Sequence, residues 1–234
     1  WESQIALLRH RSPASSRMLA MFTRLDHQYM ARALQLAEQG LYTTDPNPRV
    51  GCVLVRDGEI VGEGFHARAG EPHAERHALA AAGDRARGAT AYVTLEPCSH
   101  TGRTGPCADA LVDAGVARVI AAMEDPNPQV AGNGMARLAT AGIDTATGLL
   151  ESDARALNPG FISRMTRQRP FIRIKIAASV DGRTAMASGD SQWINGPAAR
   201  EDVQRLRARR SAVITGGGTV LADRPSYTVR PAKW

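Results

Sequence analysis

The chain has 234 residues, 43% of them hydrophobic and 5% aromatic, with a formal net charge of +6; that is enough for one full domain and part of a second around a buried core. No apolar run approaches the roughly 18 residues that cross a bilayer, no Lys/Arg block is interleaved with aromatics, and Cys52, Cys98 and Cys107 make an odd count with no signal-peptide pattern before them. A membrane span, a nucleic-acid surface and a disulfide framework are therefore not expected, and the expectation is a cytoplasmic protein whose basic surface, with a pI near 9.8, suits phosphorylated small molecules.

Taken in chain order, residues 1–23 read as an N-terminal extension expected to be disordered: "WESQIALLRHRSPASSRMLA" lacks an initiating Met, and Met21 opens a more conventional stretch. An Arg/Ser-rich transit peptide is the alternative for this segment. Asp26 is placed to cap a helix with Met30, Ala33, Leu34 and Ala37 at helical spacing, and Gly40 suits its end. "VGCVLVRDGEIVGEGF" reads as a hairpin turning at Asp57-Gly58. A helix then starts at His73, followed by the strand "TAYVTLEP", a helix from about Cys107 to Ala114, the strand "ARVIAAM", a helix over Met135 to Ala141, a short strand over Ile143 to Ala146 and a helix from Glu151 to Met165. Strands alternating with helices imply a mixed or parallel sheet covered on both faces. Pro170 punctuates the chain, and a second unit follows with "FIRIKIAAS" as a strand, a helix entered at Pro197, and "SAVITGGGTV" as another strand running into glycines.

The chemistry concentrates in "PHAE" and "LEPCSHTGRTGPC". One imidazole, His73, and two thiolates, Cys98 and Cys107, are ligands that zinc prefers, and three protein ligands leave a fourth tetrahedral position for water. A carboxylate beside such a site, here Glu75, can move a proton from the activated water to a leaving amine. His73 and Glu75 are two residues apart, so they share a pocket only if the helix N-terminus faces the metal, and Pro72 is placed to set that terminus. H-x-E followed by P-C-x-x-C is the zinc deaminase pattern, but eight residues, Ser99 to Pro106, separate the cysteines here.

"HAE" with "PCSHTGRTGPC" resembles the deaminase half of the bifunctional riboflavin biosynthesis family, the diaminohydroxyphosphoribosylaminopyrimidine deaminases and 5-amino-6-(5-phosphoribosylamino)uracil reductases. The resemblance extends from Asp26 to Arg230 through "TTDPNPRVGCVLV", "GEGFHARAGEPHAE", "AYVTLEPCSHTGRTGPC", "DPNPQVAG", "KIAASVDGRTAMASGDSQWI" and "TVLADRPSYTVR". It implies an α/β fold: a cytidine deaminase-like α/β/α sandwich with a mixed sheet over residues 24–168, then an incomplete dihydrofolate reductase-like α/β domain over 169–234. It implies Zn2+ on His73, Cys98 and Cys107, with Glu75 as the proton shuttle. Asn47, His66, Arg103 and Asp125 match positions that hold the pyrimidine ribotide. In the second half Ala177, Trp193, Thr219 and Asp223 match NADPH contacts, and Lys175, Ser191, Arg207, Tyr227 and Arg230 match substrate positions, Tyr227 replacing the leucine usual there.

The implied reaction is hydrolytic deamination of 2,5-diamino-6-ribosylamino-4(3H)-pyrimidinone 5′-phosphate, followed in the family by NADPH-dependent reduction of the ribosyl chain. The family's reductase domain is longer than Pro170 to Trp234, so the expectation is a C-terminally truncated reductase and a chain that deaminates without reducing; a homodimer is expected from the family. Two rivals stand beside this reading. A zinc deaminase of another nucleobase or of a polynucleotide would explain zinc motif and basic charge together, but calls for a tight cysteine pair and aromatic platforms. A structural zinc module would need a fourth protein ligand, for which His100 is a candidate. Taken singly, His77 reads as a packed or solvated residue, Cys52 as an inert core thiol, Arg207, Arg209 and Arg210 as a solvated helix face, and "TGGGT" as a weak phosphate cradle without a dinucleotide fingerprint.

Overall fold

A computed structural model describes residues 22–100, 105–128 and 130–230; the expected N-terminal extension lies almost wholly outside them, as does Arg103. Five strands form one sheet: β1 (Gly51–Arg56), β2 (Glu59–Phe65), β3 (Thr90–Val93), β4 (Arg118–Ala121) and β5 (Asp144–Thr147), in the order β2-β1-β3-β4-β5. β1 is antiparallel to β2 and β3, whereas β3, β4 and β5 run parallel, so the sheet is mixed. Asp57 and Gly58 turn the hairpin with φ of 54° and 82°, the left-handed pair that matches strand twist in a two-residue turn.

Alternation along the strands divides the interior in two. Cys52, Leu54, Ala91, Val93, Val119 and Ala121 face one layer, packed by α2 (Ala74–Ala82), α3 (Cys107–Asp113) and α4 (Asn133–Thr140). Val53, Val55, Tyr92, Ile120 and Ala146 face the other, packed by α1 (Arg24–Glu38) and α5 (Glu151–Leu157), with α6 (Pro159–Arg167) at its margin. This is the expected cytidine deaminase-like α/β/α sandwich. Gly62 and Gly64 on β2 let α2 lie close, since a Cβ on either would sit 2.2 Å from the Ala78 carbonyl or 2.4 Å from that of Ala74.

Several boundaries differ from the sequence expectation. Thr23, not Asp26, is the N-cap of α1: its hydroxyl accepts from the Asp26 N–H at 3.1 Å, and the Asp26 carboxylate accepts from the Thr23 N–H at 2.7 Å, a reciprocal capping box. Pro72 lies one residue before the N-cap of α2, which is His73. The single helix expected over Glu151 to Met165 is two, broken at Asn158 with φ −122° and ψ 38°, where Pro159 opens α6; a proline ring and the missing N–H bar continuation from α5 but suit a first turn.

After α6 the chain has only two further helices among the described residues, α7 (Pro197–Ala208) and α8 (Gly217–Asp223). "FIRIKIAAS" and "SAVIT" form no strand, because neither joins a sheet ladder; the glycines of "TGGGT" enter α8 instead. No residue from Arg164 to Arg230 is buried. Ile172, Ile174 and Ile176 are 69–80% exposed. No helix among the described residues is long and apolar enough to cross a membrane.

Candidate active site

The topology brings one end of each of four strands to a common edge. β3 and β4 are parallel, so the segments after them, "TLEPC" and "MEDP", leave the sheet side by side. β1 runs against β3 and β2 against β1, so Asn47 just before β1 and His66 just after β2 meet them there. Ligands in sheets of this kind bind beyond the carboxyl ends of the parallel strands.

His73 Nδ1 lies 3.6 Å from Cys98 Sγ and 3.4 Å from Cys107 Sγ, and the three donor atoms are all within 4.8 Å of one another. A tetrahedral ion with Zn–N and Zn–S bonds of about 2.05 and 2.3 Å would hold N and S about 3.6 Å apart, so the set fits zinc. Among the described residues no fourth His, Cys, Asp or Glu joins the group. His100 and His77 are exposed and outside it.

Two helix N-termini frame the cluster. His73 caps α2 with extended backbone but spends its ring on the thiols, making no side-chain cap bond. Cys107 opens α3, and its N–H donates to Cys98 Sγ at 3.3 Å. Helix N-termini and N–H donors favour thiolate. The Cys107 thiol, its N–H and the His73 ring all act on Cys98, holding its thiol well below the ordinary thiol value, whereas Cys98 beside it and burial push Cys107 up. The bond to Cys98 raises His73. Cys52, by contrast, is a free thiol wholly inside the core, pushed well up by burial and therefore inert.

Glu75 is 3% exposed in the first turn of α2, and its Oε2 is buried without a hydrogen-bond partner. Burial raises its pKa above the ordinary carboxylate value. Glu75 is thus a buried, half-satisfied carboxyl beside the three-donor set.

His66 packs edge-on to His73 with ring centroids 5.3 Å apart. Its Nδ1 donates to the Pro72 carbonyl at 3.1 Å, leaving Nε2 to accept from the Asn47 amide at 3.2 Å. Burial lowers its pKa and so keeps that neutral tautomer. Asp125 is raised by burial, in part offset by the Asn127 N–H donating to its Oδ1 at 2.8 Å. Asn47, His66 and Asp125 thus come to the same edge as His73, Glu75, Cys98 and Cys107.

The sequence does not mark Glu96. Its carboxylate is 3% exposed and accepts four backbone N–H bonds, from Asp125 and Gly132 at 3.0 Å, Gly134 at 2.8 Å and Met135 at 3.3 Å. It ties the turn bearing Cys98 to the loop bearing Asp125. Gly134 permits the approach, since a Cβ there would lie 2.0 Å from the Pro97 carbonyl. Arg76 performs a similar task on α3, donating to the Gly105 carbonyl at 2.9 Å just before Cys107.

The residues nominated in the second half are placed differently. Arg207 lies over the Tyr227 ring at 5.2 Å, and Gln204 on the same helix accepts from the Arg230 N–H at 3.1 Å, so α7 gathers those three. Lys175 is exposed and Ala177 half-buried on the segment that joins no sheet. Ser191, Trp193, Thr219 and Asp223 are exposed, and the Trp193 ring is covered by Arg200 at 4.4 Å.

Two family models match separate parts of the chain. The family model described as the cytidine and deoxycytidylate deaminase zinc-binding region matches residues 23–123, and that of the RibD C-terminal domain matches 170–234. Riboflavin biosynthesis protein RibD of Escherichia coli (strain K12) is 66% identical over 205 residues, covering 88% of this chain and 56% of the relative; that of Haemophilus influenzae is 61% identical, covering 89% and 56%. Over nearly nine tenths of its length the chain is similar to RibD proteins. Among solved structures, Acinetobacter baumannii RibD is 56% identical with a TM-score of 0.85, covering 88% of this chain and 58% of that one. The diaminohydroxyphosphoribosylaminopyrimidine deaminase/5-amino-6-(5-phosphoribosylamino)uracil reductase of Thermotoga maritima is 43% identical with the same TM-score, covering 89% and 60%. The chain therefore spans a little over half the length of the RibD relatives it matches.

Proposed function

We propose that residues 24–168 form a zinc-dependent deaminase acting on 2,5-diamino-6-ribosylamino-4(3H)-pyrimidinone 5′-phosphate, with His73, Cys98 and Cys107 as zinc ligands. When bound there, zinc supplies Lewis-acid activation of water. Glu75 takes a proton from that water and delivers it to the departing amine: a C–O bond forms at C2 of the ring, the C2–N bond breaks, ammonia leaves, and the uracil carbonyl remains. Its buried carboxyl suits both halves of this shuttle, because a raised pKa brings its two protonation states closer in energy near neutral pH. Asn47, held by neutral His66, and Asp125, held by the Glu96 network, orient the pyrimidine, and Arg103 meets its charged end.

The observation that carries the reading is Glu75 Oε2, buried and unpartnered beside a three-donor set that fits zinc and has no fourth protein ligand among the described residues. A structural zinc module has no use for such an oxygen. The test is ammonia release from the diaminopyrimidine ribotide by the zinc-loaded chain, without NADPH, beside Glu75→Ala. Release by the parent and not by the variant supports the reading; no release from folded, zinc-loaded parent sinks it.

We further infer that residues 169–234 are a piece of an NADPH-dependent reductase region, with Ala177, Trp193, Thr219 and Asp223 toward the cofactor and Lys175, Ser191, Arg207, Tyr227 and Arg230 toward the sugar. The support is the family match over 170–234. The exposed, dispersed positions of most of these side chains add none, and only the grouping of Arg207, Tyr227 and Arg230 agrees with it. A boundary at 168/169 is supported by the end of burial after Ser163 and by the left-handed Gln168 that closes α6.

A further inference from the structure

Away from the zinc ligands, the loop before β1 and the segments around α7 gather a second concentration of charge. Arg49 is its fixed point. The Asn158 side chain, at the break between α5 and α6, accepts from the Arg49 N–H at 2.8 Å and donates to the Arg49 carbonyl at 2.9 Å. Arg49, its backbone so anchored, is only 9% exposed; one terminal guanidinium nitrogen donates to the Leu41 carbonyl at 3.0 Å, and Nε is buried with no hydrogen-bond partner.

Residues 209–211 close against this loop, with the Ser211 hydroxyl donating to Asp45 at 2.7 Å. Arg210 and Arg173 both stand over the Phe171 ring, at 5.6 and 6.0 Å. These arginines are near enough to disturb one another: burial and then Arg209 lower Arg49, while burial and then Arg173, Arg209 and Arg49 lower Arg210. Asp45 alone acts on Arg49 in the opposite sense, and it already accepts from Ser211. Arg210 is thus close to Arg49, Arg209 and Arg173, and Asp45 offsets only the effect on Arg49.

Like charges drawn together and partly desolvated are costly unless an opposite charge offsets them. Guanidinium forks match the oxygens of phosphate, and a phosphomonoester brings nearly two negative charges with three acceptor oxygens. We propose that the seam between the Asp45–Arg49 loop and the segments bearing Arg173, Arg209 and Arg210 is a binding site for a phosphomonoester, with Arg49 Nε as its buried donor. The inference stands apart from the deaminase reading, since it involves no zinc ligand and no shuttle residue. The ligand is either free inorganic phosphate or the phosphate of a sugar phosphate; the chemistry recognised is the same.

The whole chain is titrated with inorganic phosphate at constant ionic strength held by chloride, following melting temperature and 31P linewidth. Saturable binding is expected in the parent, weakened about tenfold in Arg210→Gln and by more in Arg49→Met, as loss of a charge-assisted bond to an anion requires. Arg210→Gln and Arg173→Gln alter half-exposed and exposed side chains and carry the test if Arg49→Met does not fold. No saturable effect beyond chloride, or equal affinity in the parent and in the Arg210 and Arg173 variants, overturns the proposal. Ribose 5-phosphate then names the source: binding about tenfold tighter than phosphate indicates a sugar phosphate, and equal binding indicates the free ion.

Discussion

Ile120 in "ARVIAAM" and Ile174 in "FIRIKIAAS" both lie in segments whose residues suit a strand, yet Ile120 is fully buried in β4 and Ile174 is 80% exposed. What separates them is company. β4 has β3 on one side and β5 on the other, with helices over both faces. The segment holding Ile174 has no ladder partner among the described residues and nothing laid over it. Strand propensity is a preference for a pleated, half-covered surface and becomes a strand only where another part of the chain supplies the surface. Helices need no such partner for their hydrogen bonds, and α7 and α8 form in the same region that lacks strands.

The comparison predicts that chemistry and metal dependence reside in the first region. Removing zinc with a strong chelator, or the substitution Cys107→Ser, should abolish ammonia release and lower the melting temperature, with zinc restoring both in the chelated parent. Glu75→Gln should reduce turnover roughly 10²–10⁴-fold while metal analysis still finds one zinc per chain. Loss of zinc from Glu75→Gln would mean that the carboxylate supports the metal rather than moving a proton.

Next in size is Glu96→Ala. The four backbone N–H groups it satisfies are in or beside buried backbone, and removing their common acceptor leaves them in the interior, at a cost of about 3–5 kcal/mol by analogy with breaking a buried charged partnership. Chemical denaturation would show it as a fall in midpoint. A change below about 1 kcal/mol would mean that water replaces the carboxylate and the loop bearing Asp125 holds itself.

The His73, Cys98 and Cys107 group and the hairpin were legible because their signals are local: helical spacing, an Asp-Gly turn, two Pro-Cys pairs and one His-x-Glu. Glu96 carries no such signal, since nothing in "TLEPC" tells which carboxylate will fold onto the N–H groups of a loop more than 25 residues away. The capping box at Thr23 and the break at Pro159 had visible cues, Thr three residues before Asp26 and proline inside an apparent helix; apolar periodicity across both positions obscured them. The strands expected after Pro170 fail for a different reason. Their residues are suitable, but pairing is non-local and a segment cannot display it by itself.

That last point can be measured on like residues. Ile120→Ala should cost about 3 kcal/mol, within the usual range for emptying a packed site, whereas Ile174→Ala should change stability by less than about 0.5 kcal/mol, as an exposed substitution does. A large cost at Ile174 would show that this segment is covered in solution, and would erase the contrast between the two regions.

The smallest effect concerns how α1 is held to the sheet. The Tyr92 hydroxyl, on β3, donates to Asp26 at 2.6 Å, and Thr23 donates to the other oxygen. Burial pushes the Asp26 carboxyl up, but these donors outweigh it and the pKa lies below the ordinary value. A carboxyl depressed on folding contributes stability above its unfolded pKa, near 3.9, and loses it as the pH falls through the lower folded value. Tyr92→Phe removes one of the donors, so it should cost about 1–2 kcal/mol at pH 7, and the deficit should begin to shrink as the medium is acidified below about pH 4 and continue to shrink through the lower folded value, beneath which Asp26 is protonated in both states. Denaturation midpoints of parent and variant that stay equally far apart from pH 7 to pH 3 would assign the cost to packing of the Tyr92 ring against Tyr29, 5.3 Å away, rather than to the charge it caps.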